Sequence, residues 1–309
     1  MNHFINLKDI PAKDLRKIIT DAKKRKRQRK KLSNLEVDKG SPLKGKLLIQ
    51  MFEKSSLRTR LSFYLAIKQL GGSTLTLRPN ELHLSKGAES IEDTAKILSN
   101  FGNVFMLRTD SDEKLKEFKK YLTIPIINGL SPSSHATQIL SDVFTVEEIK
   151  KKPISKLNIC WIGDFNNVLN SLVAASIKFS FKLNIGCPKK YQSNKNILNY
   201  MRNNKNKITL YDDAKKAATS ADVIFSDKVI SMNDKVNKIK KLNYFKNFRI
   251  DKNLMNFAKR DCIFLHCLPR GKEVDEKVFS SNKSKVWLQA HNRVHVQKSI
   301  LLYCFGKLR

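Results

Sequence analysis

Strand-length apolar runs alternate with stretches of helical spacing along nearly the whole chain, and this alternation restricts the fold more than any other property of the sequence. The runs at 47–52, 74–77, 104–107, 124–127, 158–162, 183–186, 208–211, 222–226, 262–267 and 284–288 read as strands. Between most of them apolar residues recur at helical intervals, as at Ile91, Ala95, Leu98 and Phe101. Such a pattern buries strands between helices, so the expected class is α/β, with two doubly wound domains and mostly parallel sheets. Charge plus proline interrupts the pattern at Lys150-Lys151-Lys152-Pro153, which divides the chain into 1–150 and 151–309. The last helix, about 292–305, carries Val294, Val296, Ile300, Leu301 and Phe305 and could pack across either domain.

In parallel α/β sheets ligands bind at the carboxyl ends of strands, so the residues that follow each run carry the chemistry. After Leu47–Phe52 come Glu53, Lys54, Ser55, Ser56, Leu57, Arg58, Thr59 and Arg60, then apolar residues at helical spacing as far as Gly71-Gly72. Strand, turn and helix start are expected here, with Ser56 as N-cap. Unsatisfied first-turn N–H groups beside two guanidinium forks can bind a phosphate dianion without a metal. An ordinary capped helix with surface arginines shares that pattern, so the motif is not specific by itself. Arg108 ends the run at 104–107, and a Ser-rich loop delivers His135 and Gln138 to the helix at 136–150. In the second half, Gly163 to Asn167 forms the turn after 158–162 without a GxGxxG fingerprint, so no dinucleotide cofactor is supported.

Composition narrows the function classes. The net charge is +32, and the run Lys23 to Lys31 concentrates it, which makes nucleic acid a partner to weigh. No aromatic residues interleave that run and no nucleic-acid module is apparent, so it reads as a solvated helix face, and a basic RNA-binding α/β protein is the secondary reading. No apolar run approaches the ~18 residues of a membrane span. The five cysteines form an odd set without CxxC spacing, which fits reduced thiols in a cytoplasmic protein and no metal site.

Four stretches taken together resemble the aspartate/ornithine carbamoyltransferase family, nearer to its ornithine-using members: Phe52 to Arg60, His135-Ala136-Thr137-Gln138, Gly163 to Asn167, and His266-Cys267-Leu268-Pro269. The likeness runs from Asn2 to about Lys298. It implies carbamoyl transfer from carbamoyl phosphate to the δ-amine of ornithine, giving citrulline and phosphate in arginine synthesis, without a cofactor. Aspartate or an acylated ornithine is the alternative acceptor. It also implies a carbamoyl-phosphate domain, an amino-acid domain, a C-terminal helix returning to the first domain, and a trimer in which His83 or Lys86 of a neighbour reaches the site.

Residue by residue, the resemblance assigns the phosphate to Ser56, Leu57, Arg58 and Thr59, the carbonyl oxygen to Arg108 and His135, and the carbamoyl nitrogen to Gln138. Asn167, Asp227, Ser231, Met232, Cys267 and Leu268 would hold ornithine, with Asp227 on its α-ammonium and Cys267 beside the reacting amine. Arg293 would face the oxygen of the tetrahedral intermediate. The chain departs from the family pattern at Leu57, Ala136, Val229, Asn233-Asp234 and His291, which bears on affinity and substrate preference more than on reaction type.

Overall fold

A computed structural model describes residues 1–78, 89–192, 195–202, 207–230 and 237–308. The chain forms two compact units, Met1–Phe144 with His291–Arg309, and Thr145–Ala290.

The first unit begins with helix α1 (Ala12–Gln28). A four-stranded sheet follows, made of β1 (Leu47–Phe52), β2 (Ser73–Leu77), β3 (Val104–Arg108) and β4 (Ile126–Leu130). Helices α2 (Arg58–Gln69), α3 (Ile91–Phe101) and α4 (Asp112–Tyr121) connect successive strands, and α5 (Ala136–Lys150) leaves the last. Every pairing is parallel, in the order β2-β1-β3-β4. The strands are apolar because helices cover them: Ile49, Met51, Phe105, Leu107 and Ile126 form one buried cluster with Leu98 of α3 and Leu115 and Phe118 of α4. Each large side chain buried there contributes about 1.5–3 kcal/mol. Ser90 caps α3, its hydroxyl accepting the Asp93 N–H.

The second unit contains β5 (Asn158–Ile162), α6 (Asn167–Phe179), β6 (Lys182–Gly186), α7 (Lys195–Arg202), β7 (Ile208–Tyr211), α8 (Ala214–Ala218) and β8 (Val223–Ser226). There follow α9 (Lys238–Phe245), α10 (Lys252–Met255), β9 (Ile263–His266), α11 (Glu276–Phe279) and α12 (Val286–Cys304). Its five strands are also all parallel, ordered β7-β6-β5-β8-β9. The chain passes between units inside helices, at Phe144/Thr145 in α5 and Ala290/His291 in α12.

In both sheets strand order reverses direction at one point, between β1 and β3 in the first and between β5 and β8 in the second. A crevice opens at the carboxyl ends of such strand pairs. Residues 53–59 and Arg108 follow the first pair, and residues 163–167 and Asp227 the second.

Four sequence expectations are corrected. The run 284–288 is not a strand: it makes one isolated bridge, Phe264 to Ser284, and Val286 already belongs to α12, so the last helix starts earlier than 292. Three apolar residues in a row cannot separate a strand from a helix turn. Strand β4 runs 126–130 rather than 124–127, because Pro125 has no N–H to give a ladder. The N-cap of α2 is Leu57, with no side-chain cap bond, because Ser56 is engaged with Arg108 instead.

The basic run at 23–31 is the fourth: it is not simply a solvated face. Arg29 donates to Asp38 at 2.6 Å, Arg25 to Asp21 at 2.7 Å and Lys26 to Asn292 at 2.7 Å. Fully buried Lys298 of α12 joins the same Asp38 at 2.9 Å, and burial pulls its ammonium down to about 8 although Asp38 opposes the shift.

Candidate active site

The switch point of the first unit collects cations and hydrogen-bond donors. Arg108 at the end of β3 donates from Nη1 to Ser56 Oγ at 3.1 Å, joining the turn after β1 to the neighbouring strand. Thr59, buried in the first turn of α2, accepts from Arg293 Nη2 at 2.8 Å, so α12 delivers a nearly buried guanidinium to the same turn. His135 opens α5 and is also buried. Burial, then the charges of Arg293, Arg108 and Arg58, hold its imidazole well below the ordinary histidine value, so it is neutral near pH 7. Gln138 donates from Nε2 to Asp142 at 2.8 Å. That bond uses one of the two amide N–H groups and fixes the side chain, whose oxygen can only accept. Helix α2 starts here with Leu57 as N-cap and no side-chain cap bond. A dianion with a carbonyl beside it matches these donors; a cation does not.

Leu57 is 68% exposed, so any part it plays in this site is through its backbone. Sequence reasoning passed over Glu53, which accepts from Thr109 Oγ1 at 2.5 Å and ion-pairs with Lys114, fastening the turn after β1 to the turn after β3. Its signal was a carboxylate alone among the cationic residues of that motif.

The switch point of the second unit has the opposite character. Asp227 follows β8 and accepts two bonds, from Asn166 Nδ2 at 2.8 Å and from the thiol of Cys267 at 2.8 Å. Asn166 is the N-cap of α6, with Oδ1 accepting the N–H groups of Val168 and Leu169, so one amide fixes the helix start and the carboxylate together. Asn167 is the first residue of that helix. Asp164 of the same turn is paired at 2.6 Å with Lys241 of α9, whose side chain is almost fully buried. Half-buried Cys267 and Leu268 follow β9, and the Leu268–Pro269 peptide is cis. Asn166 and Lys241 were not singled out from sequence; an Asn one position ahead of a helix was the available sign for the first, while Lys241 was one lysine among many. Ser231, Met232, His83 and Lys86 lie outside the described residues.

Comparison with known proteins followed these geometries. Residues 2–148 match the family described as aspartate/ornithine carbamoyltransferase, carbamoyl-P binding domain, and residues 155–304 match the aspartate/ornithine carbamoyltransferase, Asp/Orn binding domain. An ornithine carbamoyltransferase of Agrobacterium fabrum is 40% identical over 306 residues, covering 98% of this chain and 98% of that protein. One from Caulobacter vibrioides is 39% identical over 308 residues, covering 99% and 98%. Among solved structures, the anabolic ornithine carbamoyltransferase of Campylobacter jejuni superposes with TM-score 0.89 at 34% identity, covering 99% of this chain and 100% of that one. The Pyrococcus furiosus ornithine carbamoyltransferase gives TM-score 0.90 at 35% identity, covering 97% and 96%.

Proposed function

The chain belongs to the aspartate/ornithine carbamoyltransferase family, and from that premise we propose that it transfers the carbamoyl group of carbamoyl phosphate to the δ-amine of L-ornithine, giving L-citrulline and phosphate. The observation that carries the assignment of roles is the convergence of Arg58, Arg108 and Arg293 on a neutral His135, Arg58 opening a helix that no side chain caps. The phosphate of the donor takes Ser56, Arg58, Thr59 and the first-turn N–H groups of α2, Leu57 contributing backbone only. Arg108, Arg293 and His135 face the carbonyl oxygen, on which charge grows as the amine attacks; a neutral imidazole serves as a donor there without adding a fixed cation. The oxygen of Gln138 accepts a carbamoyl N–H.

Ornithine binding falls to the second unit. Asp227 pairs with the α-ammonium, Asn167 with the α-carboxylate, and Cys267 with the backbone of Leu268 borders the δ-amine; Ser231 and Met232 complete the set. The amine has an ordinary pKa near 10.4, so its neutral fraction at pH 7 is minute and the rate should climb with pH. A carboxylate at the heart of this site disfavours aspartate, which brings two more. N-acetylornithine, lacking the α-ammonium, would leave Asp227 uncompensated.

We further place the enzyme in arginine biosynthesis in the cytoplasm, as a trimer. In favour of assembly, Leu57, Leu61 and Tyr64 form an exposed apolar stripe along α2, and β2 pairs only with β1 among the described residues. In favour of a reducing compartment, none of the five cysteines forms a disulfide. Among the described residues no helix is long and apolar enough to cross a membrane.

Product formation from carbamoyl phosphate, with ornithine, N-acetylornithine and aspartate offered in parallel at two pH values, tests the reading. Ornithine should be the preferred acceptor, with the rate rising as pH does. Preference for either competitor, or no turnover with any of the three, would overturn it.

A further inference from the structure

Leu268 has φ +59°, a left-handed conformation that a branched side chain adopts only under strain. Such a residue keeps this backbone only where its surroundings impose it. The surroundings here are specific. His266, 1% exposed, accepts the Leu268 N–H on Nδ1 at 2.9 Å, while its Nε2 stands 3.1 Å from Glu273 Oε1. Its own N–H donates to Gln289 Oε1 at 2.9 Å. A ring nitrogen that accepts a bond carries no proton, so the proton is on Nε2 and points at Glu273. One ring nitrogen thus grips Leu268 and the other is held by a carboxylate. Glu273 also accepts the Gly271 N–H, so a single carboxylate–imidazole pair ties down both ends of the 268–271 turn. Burial pushes the Glu273 carboxyl up, yet the His266 and Gly271 bonds outweigh it and hold the group below its usual range.

A well-packed apolar pair would often stabilise such a site as much as a buried ionisable one does, so energy alone does not account for this arrangement. What His266 and Glu273 supply, and an apolar pair could not, is a directed acceptor for one backbone N–H. We propose that His266 and Glu273 are positioning residues, whose task is to impose the Leu268 conformation and thereby aim the Cys267–Leu268 segment at the acceptor amine. The proposal rests on the reading that this segment borders the amine; neither residue is assigned contact with a substrate.

Two substitutions separate the grip from the anchor. In His266→Asn the amide oxygen occupies roughly the place of Nδ1 and keeps the Leu268 N–H, losing Glu273. In His266→Gln the amide reaches toward Glu273 and gives up Leu268. Steady-state KM for each substrate and the alkylation rate of Cys267 by iodoacetamide are measured in both, with circular dichroism as the check on folding. His266→Gln should raise the KM for ornithine about tenfold, the scale of one buried hydrogen bond, and speed alkylation severalfold, with the KM for carbamoyl phosphate unchanged within about twofold. His266→Asn should remain within about threefold of the parent in every readout.

Equal effects of the two substitutions, or parallel changes in both KM values, would overturn the proposal. If neither variant folds, Glu273→Gln decides. It keeps an acceptor carbonyl and loses the charge, so it should raise the KM for ornithine alone by about threefold, and no change, or a change in both, would count against the idea. A parent enzyme inactive toward ornithine would refute the functional reading instead, and the alkylation comparison would then judge this proposal alone.

Discussion

The two units use one architecture to opposite electrostatic ends. Each is a parallel sheet whose strand order reverses once, and each presents its polar residues where the reversal opens a crevice. In the first unit Arg108 at a strand end, Arg58 opening α2 and Arg293 from α12 surround an imidazole that burial and these charges keep neutral. In the second the strand end carries Asp227, bonded to an amide and a thiol. Backbone topology thus fixes where a ligand sits, while the sign of the side chains at the strand ends decides which ligand it is. The function proposed above gives the anionic donor to the first set and the ammonium-bearing acceptor to the second.

Removing one unit's machinery should therefore affect one substrate. The largest effect is expected from Arg108→Ala, which deletes a donor aimed at developing charge: kcat should fall about 10²–10³-fold. A loss under tenfold would remove Arg108 from the reaction.

Next comes Lys241→Met, which leaves Asp164 without its buried partner in the turn that carries Asn166. Breaking such a pair costs on the order of 3 kcal/mol. Hydrogen exchange should show faster opening in the second unit only, and equal loosening in both would contradict the separation of supports.

A pH series sharpens the contrast further. His135 and His295 have folded values below the ordinary 6.5, His295 down to about 2 through burial first and then Lys298 and its other charged neighbours. A lowered folded value means the unfolded chain binds more protons, so the stability due to these groups is full above about 6.5 and falls as pH drops below it. Each contributes at most about 1.4 kcal/mol per pH unit across that window. In the second unit the lowered groups are carboxylates, Glu273 and Glu276 with an ordinary value of 4.5 and Asp261 with 3.8, so their loss starts only in more acidic solution. Exchange protection of the first unit should fail first on acidification, and the reverse order would be inconsistent with these burials.

The smallest effect is chemical. Burial pushes the Cys262 thiol up to about 12 and the Cys160, Cys187 and Cys304 thiols well above their usual range, whereas Cys267 is half-buried at the strand end. Native protein should take up one equivalent of iodoacetamide near pH 7, slowed by ornithine and not by phosphate.

Much of the fold was legible because both signals it rests on are local. Apolar runs found the strands of both sheets, and the spacing of Ile91, Ala95, Leu98 and Phe101 found α3. What escaped depends on partners distant in sequence. Ser56 looks like a cap until Arg108, 52 positions away, engages it. Arg25, Lys26 and Arg29 of the basic run look solvated until Asp38 and Asn292 are placed beside them. His266 reads as one letter of a motif, and its role as the holder of Leu268 emerges only with Glu273 and a positive φ in view.

The central claim is the division of the two ligands between the two units, and calorimetric titration of carbamoyl phosphate into Arg58→Lys and Asp227→Asn tests it most directly. Replacing a bidentate fork with a point charge should weaken binding at least tenfold in Arg58→Lys. Asp227→Asn should bind carbamoyl phosphate as the parent does while its KM for ornithine rises. Equal weakening of carbamoyl phosphate in both variants, or none in Arg58→Lys, would contradict it.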